Sequence, residues 1–282
     1  MRKPLAPGAV QSLSRFGRSK GAQQAFTPAN SNTRISTPGA SLASGVPRPM
    51  TATPLAAKSP HVTSTMVNLG LNSDRSRGMM IERLRRQGIV DDRVLAAMQA
   101  VPRHLFVDQG LASRAYEDAA LPIGFGQTIS QPWVVARMIS VVSHERSLGR
   151  VLEVGAGCGY QAAVLAHMAK EVFAIERIRG LYDMAREHLQ AVRLHTKVRL
   201  SFGDGTLGVS SAAPFDAILV AAAGLEIPQS LLGQLAVGAR LIAPEGGASQ
   251  RLVMIERTGK TSWRREELEA VRFVPLRPGT QA

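Results

Sequence analysis

VLEVGAGCGYQAAVLA, residues 151–166, runs from a short apolar strand straight into a glycine-rich turn and then into a helix. Gly155, Gly157 and Gly159 tolerate positive φ and let a ligand approach the backbone closely. They stand at the carboxyl end of the strand, the edge where doubly wound sheets bind nucleotides. The G-x-G-x-G spacing departs from the G-x-G-x-x-G of dinucleotide folds, in which a helix start meets a pyrophosphate. Glu153, two residues before the first glycine, is awkward beside a phosphate. It suits a ligand with a free amino group and a positive sulfur. Cys158, inside the turn, reads as a small side chain filling space rather than a nucleophile, since no His or Asn has a suggestive placement.

Downstream of this turn, strands and helices alternate. Strands are expected at 150–154, 171–176, 197–202, 215–221 and 238–243, with helices at 160–169, 180–193 and 228–236. Alternation of this kind implies right-handed crossovers and a parallel sheet covered on both faces. Two β-rich runs, 250–257 and 267–274, lack an intervening helix and read as an antiparallel C-terminal hairpin. The fold class is therefore α/β: a Rossmann-like, doubly wound, mostly parallel seven-stranded sheet.

Two more acids follow in register. Glu176 ends the second strand and can accept two hydrogen bonds from ribose hydroxyls. Asp204, in Gly203-Asp204-Gly205 after the third strand, can accept one from an exocyclic amine such as adenine's. Alone, Glu176 reads equally as a surface acid and Asp204 as a turn residue. Together with Glu153 and the glycines they fit S-adenosylmethionine better than NAD.

Upstream, Met79, Met80, Ile81 and Leu84 fall at helical spacing and Gly88 ends the run. A second helix spans Asp91 to Ala100, stopped by Pro102, and a third runs from Pro132 through Val142. Between them YEDAALPIGFGQTISQP, residues 116–132, has the composition of a loop over a ligand. Thr128 and Ser130 lie two apart, so in extended backbone their hydroxyls face one side and can donate to a carboxylate. Ser130 is equally well placed to cap the helix that begins near Pro132.

The formal charge is +13, but residues 1–73 carry eight Lys or Arg and no acid, which leaves 26 basic and 21 acidic side chains in the remainder. A net +5 on that remainder is only a weak sign of polyanion binding. Residues 1–72, rich in Ser, Thr, Pro, Ala and Gly without periodicity, read as a disordered basic tail. It is a leader without a role, an overlong start (Met66, Met79 and Met80 are alternatives), a transit-like targeting segment or an electrostatic tether. The folded part is expected over 73–282, with a helical cap and substrate loop at 73–145 and the cofactor-binding sheet at 146–282. A single cysteine excludes an internal disulfide and a cysteine-based zinc cluster, and no metal site is expected. There is no apolar run of about 18 residues or more and no signal-peptide pattern. The expected protein is cytoplasmic and monomeric, with no membrane and no specific nucleic-acid partner.

YEDAALPIGFGQTIS, VLEVGAGCGYQAAVLA, AIER, GDG, PFDAILVAAAGLEIP and the terminal VRFVPL together resemble bacterial protein-L-isoaspartate O-methyltransferases, in collinear order over about residues 77–280. The glycine loop alone identifies only the wider methyltransferase superfamily; IGFGQTIS paired with VRFVPL is more specific. The resemblance implies S-adenosylmethionine as cofactor and isoaspartyl residues of damaged proteins and peptides as substrate. It implies that Ser130 is the active-site residue, that Glu153 and the glycines serve the methionine end of the cofactor, Glu176 the ribose and Asp204 the adenine. Ala221-Ala-Ala-Gly224 departs from the Thr-Ala-Ala-Pro frequent in relatives. It also lacks the Asn-Pro-Pro-aromatic segment of many amino-methylating enzymes, which disfavours N-methylation. A nucleic-acid-binding protein using the tail would need stacking aromatics, and the tail has only Phe16 and Phe26. A cofactor sensor without turnover is the third alternative.

Overall fold

The computed structural model describes residues 65–144 and 146–282, with side chains from residue 73 onward. They fall in one unit that begins at Ser59. The tail expected over 1–72 lies outside the described residues as far as 64. Helix α1 (Thr65–Arg86) starts before the boundary expected at 73. Elongating an established helix fixes one residue per added bond, so periodic apolar positions further on do not mark its first turn.

The cap continues with α2 (Asp92–Ala100), whose N-cap Asp91 accepts the Arg93 N–H at 3.0 Å. Two 3-10 turns follow, Arg103–Phe106 and Gln109–Arg114, then strands β1 (Leu121–Gly124) and β2 (Gln127–Ile129) and helix α3 (Pro132–Ser143). The segment expected as plain loop at 116–132 thus contains a small antiparallel hairpin. Its strands are too short to show a period. Its turn is Gly124-Phe125-Gly126, with φ of 86°, 53° and 68°.

The main sheet comprises β3 (Leu148–Val154), β4 (Ala169–Glu176), β5 (Val198–Phe202), β6 (Phe215–Val220), β7 (Leu235–Gly246), β8 (Gln250–Arg257) and β9 (Trp263–Val271). Their order is β5-β4-β3-β6-β7-β8-β9. β5 through β7 are parallel, and β8 is antiparallel to both neighbours. Helices α4 (Tyr160–Leu165), α5 (Arg179–Ala191) and α6 (Gln229–Gly233) form the crossovers. The seven-stranded, mostly parallel α/β sheet with an antiparallel C-terminal hairpin is as expected.

Three boundaries differ for tertiary reasons. The helix expected to 169 stops at Leu165, because Ala169 already pairs with Leu148. The helix expected to 236 stops at Gly233, because Leu235 pairs with Phe215 before a register shift near Gly238, φ 82°. The last strand starts at Trp263 rather than 267. WRREELEAV is mostly exposed and charged, the composition of a protected sheet edge. Arg265 pairs with Glu245 at 2.8 Å and Arg264 with Glu256 at 2.7 Å.

Side-chain alternation assigns the two faces. Val151, Ala217 and Leu219 pack in one apolar cluster with Met80, Leu95 and Phe106 of the cap. Leu152, Val154, Ile218 and Val220 pack in the other. Both faces are apolar, as a covered parallel sheet requires. The cap thus buries one face and sits against the edge where β3 and β6 diverge. That divergence is the topological switch point, where such sheets open a crevice.

Candidate active site

A cavity of about 370 Å³ opens at this edge. Its floor is the turn after β3. Gly155, Gly157 and Gly159 have φ of 87°, 55° and 86°. At each of them a side chain would be strained, and a β-carbon on Gly157 would meet Ile123 at 3.3 Å. The backbone that lines the cavity is therefore bare.

Glu153 points from β3 into this floor and is 1% exposed. Its Oε2 has no hydrogen-bond partner, and neither polar atom of the adjacent Gln161 has one. Burial pushes the Glu153 carboxyl well above its usual value; the Gln161 amide, close by but outside hydrogen-bonding geometry, opposes the rise and the Glu176 carboxylate adds to it. Orphaned polar atoms at a cavity wall are costly unless a ligand satisfies them. An ammonium group meets that need.

Glu176, at the end of β4, is buried and organises the floor. Its Oε2 accepts the Gly157 N–H at 2.8 Å and its Oε1 accepts the Ile178 N–H at 2.8 Å. Burial raises its pKa while these backbone donors oppose the rise. Each oxygen keeps a further lone pair for a ribose hydroxyl.

Gly205 lines the cavity, and a β-carbon there would meet Val154 at 2.5 Å. Asp204 does not line it. Its Oδ1 accepts from Thr206 N and Oγ1 at 2.9 and 2.6 Å, and its Oδ2 accepts the Gly279 N–H at 2.7 Å. Burial raises its pKa, but these donors outweigh that and leave it below the usual value. Asp204 thus fastens the C-terminal segment beside the cavity. The same segment bridges Ile178 through Gln281, which lines the cavity.

Thr128 and Ser130 stand on the hairpin side. Ser130 does not cap α3: the N-cap is Gln131, and the Trp133 N–H is taken by Asp118 Oδ1 at 3.2 Å. Both hydroxyls line the 370 Å³ cavity and also an open groove of about 700 Å³ on its other side, with Trp133 and Phe273. At the hairpin turn, Phe125 covers the cofactor side, its ring resting on Gly180 in space a β-carbon there would need.

Ala221-Ala-Ala-Gly224 bends at Ala222 and is hydrogen-bonded, not open. Ala223 N–H donates to Val274 O at 2.8 Å and Leu276 N–H to Ala223 O at 2.8 Å. VRFVPL therefore meets the loop after β6 beside the hairpin that carries Ser130. Cys158 is buried and its thiol pushed up to about 11, with burial the main cause, so it is not ionised near neutrality.

Residues 75–281 match the family model described as protein-L-isoaspartate(D-aspartate) O-methyltransferase. The chain belongs to that family. A protein-L-isoaspartate O-methyltransferase of Bordetella parapertussis is 68% identical over 258 residues, covering 91% of this chain and 94% of that protein. Its counterpart in Bordetella petrii is 63% identical and spans 100% of both chains. Among solved structures, a protein-L-isoaspartate O-methyltransferase superposes with a TM-score of 0.66 at 26% identity, covering 73% of this chain and 67% of that one. A Plasmodium falciparum structure titled as a family member in complex with S-adenosyl-L-homocysteine gives 0.62 at 26% identity, covering 71% and 98%.

Sequence reasoning missed Arg103, which is 0% exposed and lies behind Ser130. The only signal was an arginine inside the apolar run VPRHLFV, residues 101–107. It also missed that Asp204 grips the C-terminal segment, a contact 75 residues away in the chain.

The orphaned carboxyl supports a pH-dependent expectation. Between the usual 4.5 and its raised value, the folded Glu153 holds a proton that the unfolded chain has released. Stability therefore falls as pH rises through that window. Glu153→Gln should raise the melting temperature of the ligand-free protein by roughly 2–4 °C per kcal/mol recovered, more at about pH 8 than at about pH 5. Scanning calorimetry at both values checks it; an equal change at both would contradict the titration.

Proposed function

We propose that the chain transfers a methyl group from S-adenosylmethionine to the free carboxylate of L-isoaspartyl residues in damaged proteins and peptides, which starts their repair through a succinimide. The observation that carries this reading is Ser130. Its unpartnered hydroxyl stands where the cofactor cavity and the open groove meet, with Thr128 beside it. A peptide lying in the groove can present a carboxylate there.

The orphaned Glu153 and Gln161, the bare glycine floor and Glu176 fit a ligand with an amino acid end and a ribose. Glu153 and Gly155, Gly157 and Gly159 would receive the methionine end, Glu176 the ribose, and Gly205 the adenine end, where Asp204 would act by fastening the C-terminal segment at Gly279. Bound S-adenosylmethionine supplies a methyl on a positive sulfur, already a strong electrophile. A carboxylate is ionised at neutral pH, since carboxyl groups titrate near 4. No general base is needed from the chain. Ser130 and Thr128 orient the carboxylate oxygens, and Phe125, Ala221 and the C-terminal segment limit water. Positioning of this kind contributes up to about 7–11 kcal/mol.

Residues 73–282 are proposed as the methyltransferase domain, with the cap and substrate loop at 73–145 and the cofactor sheet at 146–282. No helix among the described residues is long and apolar enough to cross a membrane. We propose a monomer working in the cytoplasm; the lone buried cysteine is compatible with a reducing compartment.

The test is incubation with labelled S-adenosylmethionine and two peptides that differ only by Asp or isoAsp at one position. Base-labile methyl ester on the isoAsp peptide alone is expected. Ester on neither peptide, with cofactor bound, would overturn the substrate assignment.

A further inference from the structure

Arg103 is the largest fully buried side chain described, at 0% exposure. Its Nε donates to Ala115 O at 2.7 Å and its Nη2 to Ser130 O at 2.7 Å. Its guanidinium lies 4.7 Å from the centroid of the Tyr160 ring, on the first turn of α4. Its Nη1 is buried without a partner. One side chain thus joins the cap, the substrate strand and the glycine-loop helix.

The charge balance is unusual. Among the described residues no carboxylate pairs with Arg103; the acidic groups that act on it are Tyr160, Cys158 and Tyr116. All three have neutral acids near pH 7, with Tyr160 pushed up to about 12 and Cys158 to about 11 by burial, and Tyr116 raised in the same way. Arginine stays protonated in proteins. A full positive charge therefore sits out of water, softened by two carbonyl oxygens and by the ring and hydroxyl of Tyr160, with no carboxylate beside it among the described residues. An uncompensated buried charge is costly, and the arrival of an opposite charge nearby would offset that cost. The position is one backbone carbonyl from the Ser130 hydroxyl.

We propose that Arg103 is a positioning residue that supplies the counter-charge for the methyl-accepting carboxylate, acting through the Ser130 backbone. The inference rests on the reading that Ser130 receives that carboxylate. In this arrangement Arg103 does not touch substrate. It fixes the Ser130 carbonyl, and so the backbone from which the hydroxyl projects. It also provides a positive potential that favours an anionic acceptor over a neutral one of the same shape. Part of the selectivity for a carboxylate then comes from behind the site, added to what the Ser130 and Thr128 hydroxyls, Gln131 and Arg272 lining the groove supply.

The experiment compares two peptides bound to the full chain loaded with S-adenosylhomocysteine, which does not react. One carries isoAsp; in the other the same free carboxylate is a carboxamide. Calorimetry gives both Kd values for the wild type, Arg103→Met, Arg103→Lys and Ser130→Ala. Arg103→Met should weaken the carboxylate peptide about ten-fold or more, equivalent to about 1.4 kcal/mol, and leave the carboxamide peptide nearly unchanged. Arg103→Lys, which keeps the charge, should preserve most of the discrimination. Equal weakening of both peptides in Arg103→Met would mean a purely structural role and overturn the proposal, as would an unchanged ratio. Should Met not be tolerated, Arg103→Gln serves as the neutral variant. Failure of both to fold while Lys folds would place the need for charge in the fold and likewise overturn it. If Ser130→Ala changes neither binding nor methylation, the Ser130 reading itself falls. If Ser130→Ala impairs methylation but the Met variant keeps the wild-type ratio, only the Arg103 proposal falls.

Discussion

Ser130→Ala is expected to lower kcat/KM for an isoaspartyl peptide by about 10–100-fold, the value of one hydrogen bond to a charged group, roughly 1.5–3 kcal/mol. Cofactor affinity should stay within about two-fold, because Ser130 bonds nothing on the cofactor floor and does not cap α3. The split between the two readouts is the informative part. A serine that merely terminated the loop would, on removal, change stability and leave turnover per folded molecule intact. The measurement is steady-state methylation alongside calorimetric titration with S-adenosylhomocysteine. Parallel loss of both would show that the residue supports the cavity as a whole and does not orient the acceptor. Thr128→Val, which keeps the shape of the neighbouring residue, should act in the same direction with a smaller effect, since Thr128 is the more exposed of the two.

Glu176→Ala should weaken S-adenosylhomocysteine binding by about 10²–10³-fold. Two backbone donors, Gly157 N–H and Ile178 N–H, lose a charged acceptor at once. Each orphaned buried donor costs about 1–3 kcal/mol, and the bonds proposed to the ribose are lost as well. The start of the glycine loop stays tied by the Gly155 and Ala156 N–H groups to Ile175 O, at 2.9 and 3.0 Å, so the loss falls on the Gly157 end that Glu176 holds. Glu176→Gln keeps one carbonyl acceptor and should fall between wild type and Ala. Calorimetry on the three proteins gives the ranking. Unchanged affinity in the Ala variant would mean that the loop is shaped without Glu176 and that the ribose is held elsewhere.

These two residues also mark how far sequence alone reaches. Glu176 was legible because three short-range regularities coincide: a strand period, a glycine turn and an acid in register after the next strand. The same coincidence made Glu153 and Gly155, Gly157 and Gly159 visible, and the alternation of strand and helix gave the sheet and its switch point. Ser130 was legible less directly. Its spacing allowed a helix cap as well as the proposed carboxylate ligand, and the cap falls because Asp118 takes the Trp133 N–H, a contact the sequence cannot announce.

Residue order alone carried the α/β class, the seven strands, and the glycine turn with Glu153 and Glu176 at the cavity. Each of these depends on backbone conformation and apolar period within a few residues. Only the tertiary structure decided where helices yield to strand pairing, as at Leu165 and Gly233. It alone showed that Asp204 grips Gly279 and that Arg103 stands uncompensated behind Ser130. These features are made by partners far apart in the chain, and their energies depend on desolvation, which exists only once the chain has packed.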